Sequence, residues 1–305
     1  MRNQNKVRKT NNYFPKIFSI KKWLINWFLE FFGLLKMVCC FHRYSFQAIK
    51  TQVLFFFIHD VIFPIARVAF GGGKNYSFCQ SFFETHSSTS LIIIPLPFPL
   101  KTKIMMRCRD FGLYSEIYLK NVYSKEVLKR GMNVIDAGAN IGVYTVLAAE
   151  KVGKNGKVIT VEPEPKNYKQ LIENINLNGF KNVIPKNIAL ADHEGFKKLY
   201  LSSSFVGHSL ILREDKDSYI EVLVKTIDKL VEELDIKKID IIKIDTEGTE
   251  ISVLRGAEKT LKNNPNMRII VATEDYPSQV KEVSQFLKKR GFKTKVSYNN
   301  FVMTI

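Results

Sequence analysis

The sequence predicts an α/β fold: a doubly wound, mostly parallel seven-stranded sheet that ends in a C-terminal β hairpin and follows an aromatic, basic helical N-terminal region. Three observations predict it. Beyond residue 100, apolar runs of strand length alternate with helical stretches, as βαβ units require. The first complete strand in this pattern ends in Asp136 and runs straight into Gly138-Ala139-Asn140-Ile141-Gly142. The next strand ends in a second acid, Glu162.

With 305 residues, 46% of them hydrophobic, the chain can bury one α/β domain and retain an appendage. The boundary is expected near residue 100, giving an N-terminal region 1–100 and a catalytic domain 101–305. The net charge of +17 is uneven: residues 1–100 carry twelve Lys or Arg against Glu30, Asp60 and Glu84, a balance of +9. Such asymmetry suits an anionic surface. Trp23, Leu24, Trp27, Phe28, Phe31, Leu34, Leu35 and Val38 recur at helical spacing behind a basic flank. This describes an amphipathic helix that either lies in a bilayer interface or packs on the domain. A second apolar stretch, Val53–Phe70, holds His59, Asp60, Pro64 and Arg67, which disfavour a lipid-exposed span. Glu30 and Lys36 interrupt the first run and no small-residue cleavage site follows it, so a cleaved signal peptide is not expected and the protein is placed in the cytoplasm, peripheral at the membrane face. Cys39, Cys40, Cys79 and Cys108 have neither paired nor zinc-like spacing and read as reduced thiols.

Within the domain, strands are expected near 132–137, 157–162, 182–190, 239–245 and 268–274, with helices near 142–152, 165–178, 225–235, 249–263 and 277–290. Gly71-Gly72-Gly73-Lys74-Asn75 and Pro95, Pro97 and Pro99 bracket loops and one short strand, Leu91–Ile94. At the other end, Lys293–Val296, Ser297–Asn300 and Phe301–Ile305 read as strand, turn and strand.

The turn after the first strand places a ligand at the carboxyl edge of the sheet, against free backbone N–H groups. Its spacing is acid-x-Gly-x-x-x-Gly, with Asn140 where a dinucleotide fold has its middle glycine. Asp136 would repel a pyrophosphate but suits the positively charged amino-acid end of S-adenosylmethionine. Gly138, Asn140 and Gly142 then form the cofactor turn, and Glu162 stands where a carboxylate accepts ribose hydroxyls. The adenine contact is expected from Asn187–Asp192.

These segments resemble the FkbM family of methyltransferases from about Lys103 to the C-terminus. The resemblance is carried by NVIDAGANIGVYT at 133–145, VEPEPKNYKQLIENINLNG at 161–179, IALADHEG at 188–195, GHSLI at 207–211 and KTID at 225–228. DIIKIDTEGTEISVLRGA at 240–257 is the most specific. The resemblance implies a Rossmann-like class I methyltransferase domain and methyl transfer from S-adenosylmethionine to a hydroxyl of a sugar, polyketide or lipid-linked product. The chain departs from the family at Thr246 and Thr249, and has Thr273-Glu274-Asp275-Tyr276-Pro277 where an acid closely followed by His is common.

Methyl transfer needs alignment of the acceptor and removal of a proton. Asp245 and Glu247 close the fourth strand at the edge where an acceptor must sit; they are candidate bases, or else they fix the loop and cap the next helix. His208 is the other candidate base. Glu250 is expected to face solvent or pair with Arg255. No metal is predicted, although Asp245 and Glu247 would supply part of a magnesium site. Expected partners are a hydroxyl-bearing small molecule, glycan or lipid-linked acceptor and an anionic membrane, with no nucleic acid. The competing readings are an RNA methyltransferase, on the charge of +17, and a non-catalytic membrane-associated binding protein.

Overall fold

The computed structural model describes residues 91–96, 100–107, 110–202, 208–211, 218–273, 277–297 and 301–305. The stretches Trp23–Val38 and Val53–Phe70 and all four cysteines lie outside the described residues. Two antiparallel strands come first, β1 (Leu91–Pro95) and β2 (Lys103–Arg107), followed by the short helix α1 (Phe111–Tyr114) and a π-helical turn, Ser115–Leu119. A 3-10 turn at Lys125–Val127 leads to β3 (Asn133–Ala137), α2 (Val143–Val152), β4 (Lys157–Val161), α3 (Pro165–Leu177) and β5 (Val183–Lys186). Three further strands follow, β6 (Ala189–Leu190), β7 (Gly195–Leu201) and β8 (Ser218–Lys225), then α4 (Ile227–Glu233) and β9 (Ile241–Ile244). The chain ends with α5 (Glu250–Arg255), α6 (Glu258–Asn263), β10 (Arg268–Val271), α7 (Pro277–Lys288), β11 (Thr294–Val296) and β12 (Val302–Thr304).

The main sheet has the order β11-β12-β10-β9-β3-β4-β5, with β12 antiparallel to both neighbours and the pairs from β10 to β5 parallel. Strands covered on both faces must be apolar throughout. Val134, Ile135, Val158, Ile159, Ile241, Ile242, Ile244, Ile269 and Val271 accordingly all lie within 1% of full burial. The sequence runs outward from β3 through β4 to β5, then restarts at β9 on the other side of β3. The order therefore reverses between β3 and β9, and the crevice outside their carboxyl ends is the place for a ligand.

Three expectations are corrected. The single strand near 182–190 is two, since β5 joins the main sheet and β6 a separate three-stranded sheet ordered β6-β8-β7. That small sheet was not foreseen; its inward side chains Leu199, Val222 and Val224 pack on Ala189 and Ala191, while Phe196, Tyr219 and Leu223 face out. The helix near 249–263 is broken after Arg255, because the Asp228 carboxylate at the start of α4 accepts from Lys259 N at 2.9 Å and Thr260 N at 2.8 Å, capping α6 as a separate helix.

The β1–β2 hairpin is tied to the domain through side chains. On α3, Asn174 Oδ1 accepts from Met105 N at 2.6 Å while its Nδ2 donates to Met105 O and to Ile141 O. One turn later, Asn178 repeats the pattern with Lys103 N and O, and the Glu150 carboxylate accepts from Lys101 N and Thr102 N. Residues four apart share a helix face, so these amides stand in for a neighbouring strand. Asn174→Leu is expected to destabilise by about 1–3 kcal/mol for each buried partner left unpaired. Urea denaturation reads this, and a loss below about 1 kcal/mol would show that the amide does not hold β2.

Candidate functional site

A cleft of about 320 Å³ opens at the carboxyl ends of β3 and β9. Gly138 and Asn140 of the glycine-rich turn, Glu162 after β4, and Asp245, Thr246, Glu247 and Thr249 after β9 line it. Ile188, Ala189 and Leu190, in the stretch expected to meet an adenine, form an apolar wall, and Asp110, Gly112, Leu113 and Glu116 form a rim. His208 and Leu210 complete the lining: Tyr200 and Ser209 bond backbone to backbone, and Ser209 Oγ donates to Glu247 O at 2.6 Å.

The turn itself alternates left-handed residues, with φ of 76° at Gly138, 52° at Asn140 and 87° at Gly142. Asn tolerates this region because its short amide bonds locally, and Asn140 Oδ1 accepts from Ile141 N at 2.8 Å. A Cβ at Gly138 would stand 1.8 Å from Asp245 O, so a bare α-carbon is required where the first turn presses on the end of β9. Gly138→Ala should cost more than about 2 kcal/mol from handedness and overlap together, read by thermal melting. A shift of less than a degree would mean the turn relaxes freely.

The backbone N–H groups of the turn are not free, as the sequence had suggested. Those of Gly138 and Ala139 both donate to Val161 O at 3.0 Å, that of Asn140 to Glu162 Oε2 at 2.8 Å, and that of Gly142 to Ala139 O at 2.9 Å. An anion cradle needs outward N–H groups. This turn is therefore not an anion cradle of the kind a pyrophosphate needs.

Glu162 is buried, and its other oxygen accepts from Glu164 N at 2.9 Å. Burial pushes its carboxyl up to about 7 against the pull of those two N–H groups. Each oxygen keeps lone-pair capacity beyond its one backbone bond, so the pair still accepts a diol.

Asp136 and Gly142 are not brought to the cleft. Asp136 is fully buried beneath the turn, where its Oδ2 accepts from Thr145 Oγ1 at 2.6 Å and Lys243 Nζ stands 3.2 Å from Oδ1. It does not line the cleft and therefore does not face the amino-acid end of a ligand directly. A Cβ at Gly142 would meet Leu171 Cδ1 at 2.5 Å, so this glycine serves the packing of α2 on α3.

Lys243, within the quoted DIIKIDTEGTE segment but assigned no role there, is the residue that sequence reasoning missed. It is 3% exposed in the middle of an apolar strand, and its Nζ donates to Gly138 O at 2.7 Å and lies 3.6 Å from Asp245 Oδ2. Burial pulls its ammonium down, but Asp136 and Asp245 outweigh this and hold it above the usual lysine range. The signal was available: a lone Lys in Ile-Ile-Lys-Ile cannot be buried without carboxylate partners.

The acid pair is supported from below by Glu250. Glu250 neither faces solvent nor pairs with Arg255, correcting both expectations; it is 1% exposed, and Oε1 accepts from Thr246 N and Gly248 N at 3.1 and 2.9 Å, while Arg255 meets Glu282. Glu247 takes a φ of 55° between those bonds. Glu250 thus fixes the loop, and Asp245 and Glu247 both line the cleft. Thr246 and Thr249 spend their hydroxyls inside the same turn, on Glu250 Oε1 and Thr246 O.

His208 Nδ1 accepts from Ser202 N at 3.0 Å. A neutral ring accepting there carries its hydrogen on Nε2 and presents a donor, so this arrangement does not offer His208 as a base. Among the described residues, no group of three or more His, Cys, Asp or Glu is placed to hold a metal ion.

Residues 136–294, just over half of the chain, match the Methyltransferase FkbM domain family. Among known proteins the chain is similar to the methyltransferase sdnD of Sordaria araneosa, 24% identical over 59% of this chain and 81% of that protein. It is similar also to the hexuronic acid methyltransferase AglP of Haloferax volcanii (23% identical; 54% of this chain, 65% of that protein). A third relative is the tRNA adenine methyltransferase TrmI of Methanocaldococcus jannaschii, 30% identical over 56% of this chain and 55% of that protein. A solved S-adenosylmethionine-dependent methyltransferase from Aquifex aeolicus superposes with a TM-score of 0.38 at 18% identity, over 63% of this chain and 89% of that one. With this family match and its class I sheet, the chain belongs to the FkbM family of S-adenosylmethionine-dependent methyltransferases.

Proposed function

We propose that the protein is an O-methyltransferase acting on a hydroxyl of a glycan, lipid-linked or secondary-metabolite acceptor at the cytoplasmic face of the membrane. The observation that carries the reading is one cleft with the Gly138–Glu162 corner on one side and Asp245 with Glu247 on the other. When bound, S-adenosylmethionine supplies a methyl group already activated on a sulfonium. Glu162 accepts the ribose hydroxyls, the Asn140 turn and the Ile188–Leu190 wall enclose the nucleoside, and Asp136 acts from beneath through Lys243 and Gly138 O. Asp245 or Glu247 accepts the acceptor's hydroxyl proton, and the walls exclude water and align the attacking oxygen.

The similarity to the hexuronic acid methyltransferase AglP supports a glycan acceptor. The basic, aromatic residues 1–100 support the membrane placement; among the described residues no helix is long and apolar enough to cross a membrane. Incubation with methyl-labelled S-adenosylmethionine and a glycan and polar-lipid extract should transfer label to an alkali-stable ether. Label found on nitrogen or in RNA would reject the reading. Flotation of the full chain with anionic vesicles, reduced by Trp23→Ser with Trp27→Ser, tests the membrane contact, and unchanged flotation of the variant rejects the interfacial helix. The likeness to TrmI and the charge of +17 favour RNA as the second reading; it requires RNA affinity that falls steeply with salt.

A further inference from the structure

We propose that Tyr123 is a positioning residue for methyl transfer, orienting the Asp245 carboxylate through its hydroxyl. The inference rests on the reading of Asp245 as the acid that meets the acceptor. Tyr123 lies between the π-helical turn and the 3-10 turn, ahead of the residues that match the family.

Its hydroxyl donates to Asp245 Oδ2 at 2.7 Å. The ring is buried and held edge-on by Tyr144, centroids 5.5 Å apart, and by Phe301 at 5.2 Å. Lys243 Nζ lies 5.4 Å from the ring centroid and 3.6 Å from the same carboxylate oxygen. The Tyr123 hydroxyl and the Lys243 ammonium, on separate elements, thus converge on Oδ2, the first by a hydrogen bond and the second at ion-pair distance.

An aspartate's second torsion is broad and two-fold, so an unheld carboxylate samples many orientations. The Asp245 side chain is one-third exposed at the cleft wall, and packing alone does not fix it. A donor on a rigid, buried ring supplies that constraint. Proton removal along an in-line displacement depends on such alignment, and small misplacements at a reacting group cost up to about 100-fold in rate.

The test uses full-length protein, methyl-labelled S-adenosylmethionine and the glycan and polar-lipid extract. Tyr123→Phe should lower kcat by about 10- to 100-fold, with the acceptor KM and the calorimetric affinity for S-adenosylmethionine unchanged within about twofold. Asp245→Asn should be slower still, and adding Tyr123→Phe to it should cost nothing more, because the hydroxyl then has no carboxylate to orient. Phe301→Leu loosens the ring's seat but keeps the hydroxyl; it should lower kcat less than Tyr123→Phe does, and that loss should likewise vanish in the Asp245→Asn background. Additive losses for Tyr123→Phe and Asp245→Asn, a matching loss of cofactor affinity, an unfolded Tyr123→Phe protein, or a Tyr123→Phe enzyme at full rate would each overturn the proposal. An Asp245→Asn enzyme at full rate would overturn instead the reading of Asp245 on which it rests.

Discussion

Lys243→Met is expected to remove about 3–5 kcal/mol of stability, the cost of leaving a buried carboxylate without its partner. The Asp136 side chain is fully buried and that of Lys243 is 4% exposed, so solvent screens neither charge. Thr145 supplies a single hydrogen bond to Asp136, which cannot replace an ammonium. The same substitution removes the donor to Gly138 O and the cation 3.6 Å from Asp245 Oδ2, so affinity for S-adenosylmethionine should fall with stability. Adding Asp136→Asn to Lys243→Met should restore much of the stability, since a neutral pair no longer demands a counter-charge. Urea denaturation of the three proteins decides it; a Lys243→Met protein as stable as the double variant would mean the pair carries no such energy.

The second large effect belongs to Glu162 and to pH. Its carboxyl lies near 7 when folded against 4.5 ordinarily, so the empty protein holds a proton that the unfolded chain releases. The group therefore favours folding fully below about pH 4.5, and that contribution, about 3 kcal/mol, is lost as pH rises to about 7. Ligand binding has the opposite sign. Ribose hydroxyls donate to the charged form, so affinity for S-adenosylmethionine should rise with pH through about 7 and level off above it. Glu162→Gln should flatten both profiles. It should also weaken binding about 10- to 100-fold, because an amide NH2 is turned against Asn140 N or Glu164 N. Calorimetry from pH 6 to 8 reads this, and an affinity that is constant across the range in the unaltered protein would remove Glu162 from the diol.

The centre of the sheet was legible because doubly covered strands leave a near-continuous run of Ile and Val, here short, bounded by turns and ending in an acid. Asp136, Glu162 and Asp245 were placed on their strand ends for that reason. What was lost depended on partners remote in sequence. Asp228 caps a helix 31 residues on, so α6 could not be separated from α5 by spacing. Glu250 looked like a solvent-facing helix residue because its partners are backbone N–H groups of its own turn, invisible to a periodicity argument. The three-stranded sheet was missed because Phe196, Tyr219 and Leu223 on its outer face blur the polar alternation that marks a half-buried strand. The turn's N–H groups were expected to be free because the strand–turn–helix pattern fixes where they sit but not which carbonyl they meet.

The amide ladder on α3 has an evolutionary consequence. Because β2 is attached by Asn174, Asn178 and Glu150 rather than by a place in the seven-stranded sheet, the rim residues Asp110, Leu113 and Glu116 hang on a segment that the main sheet does not need for its own pairing. Substitutions at the incompletely buried rim positions Gly112, Leu113 and Glu116 can reshape one side of the cleft, whereas Tyr114, Ile117 and Tyr118 of the same segment are buried and the methyl-donor side, built from β3, β4 and β9, stays under its own constraints. Changes confined to those three positions alter the cleft rim at little cost to folding, in an architecture whose donor side stays the same.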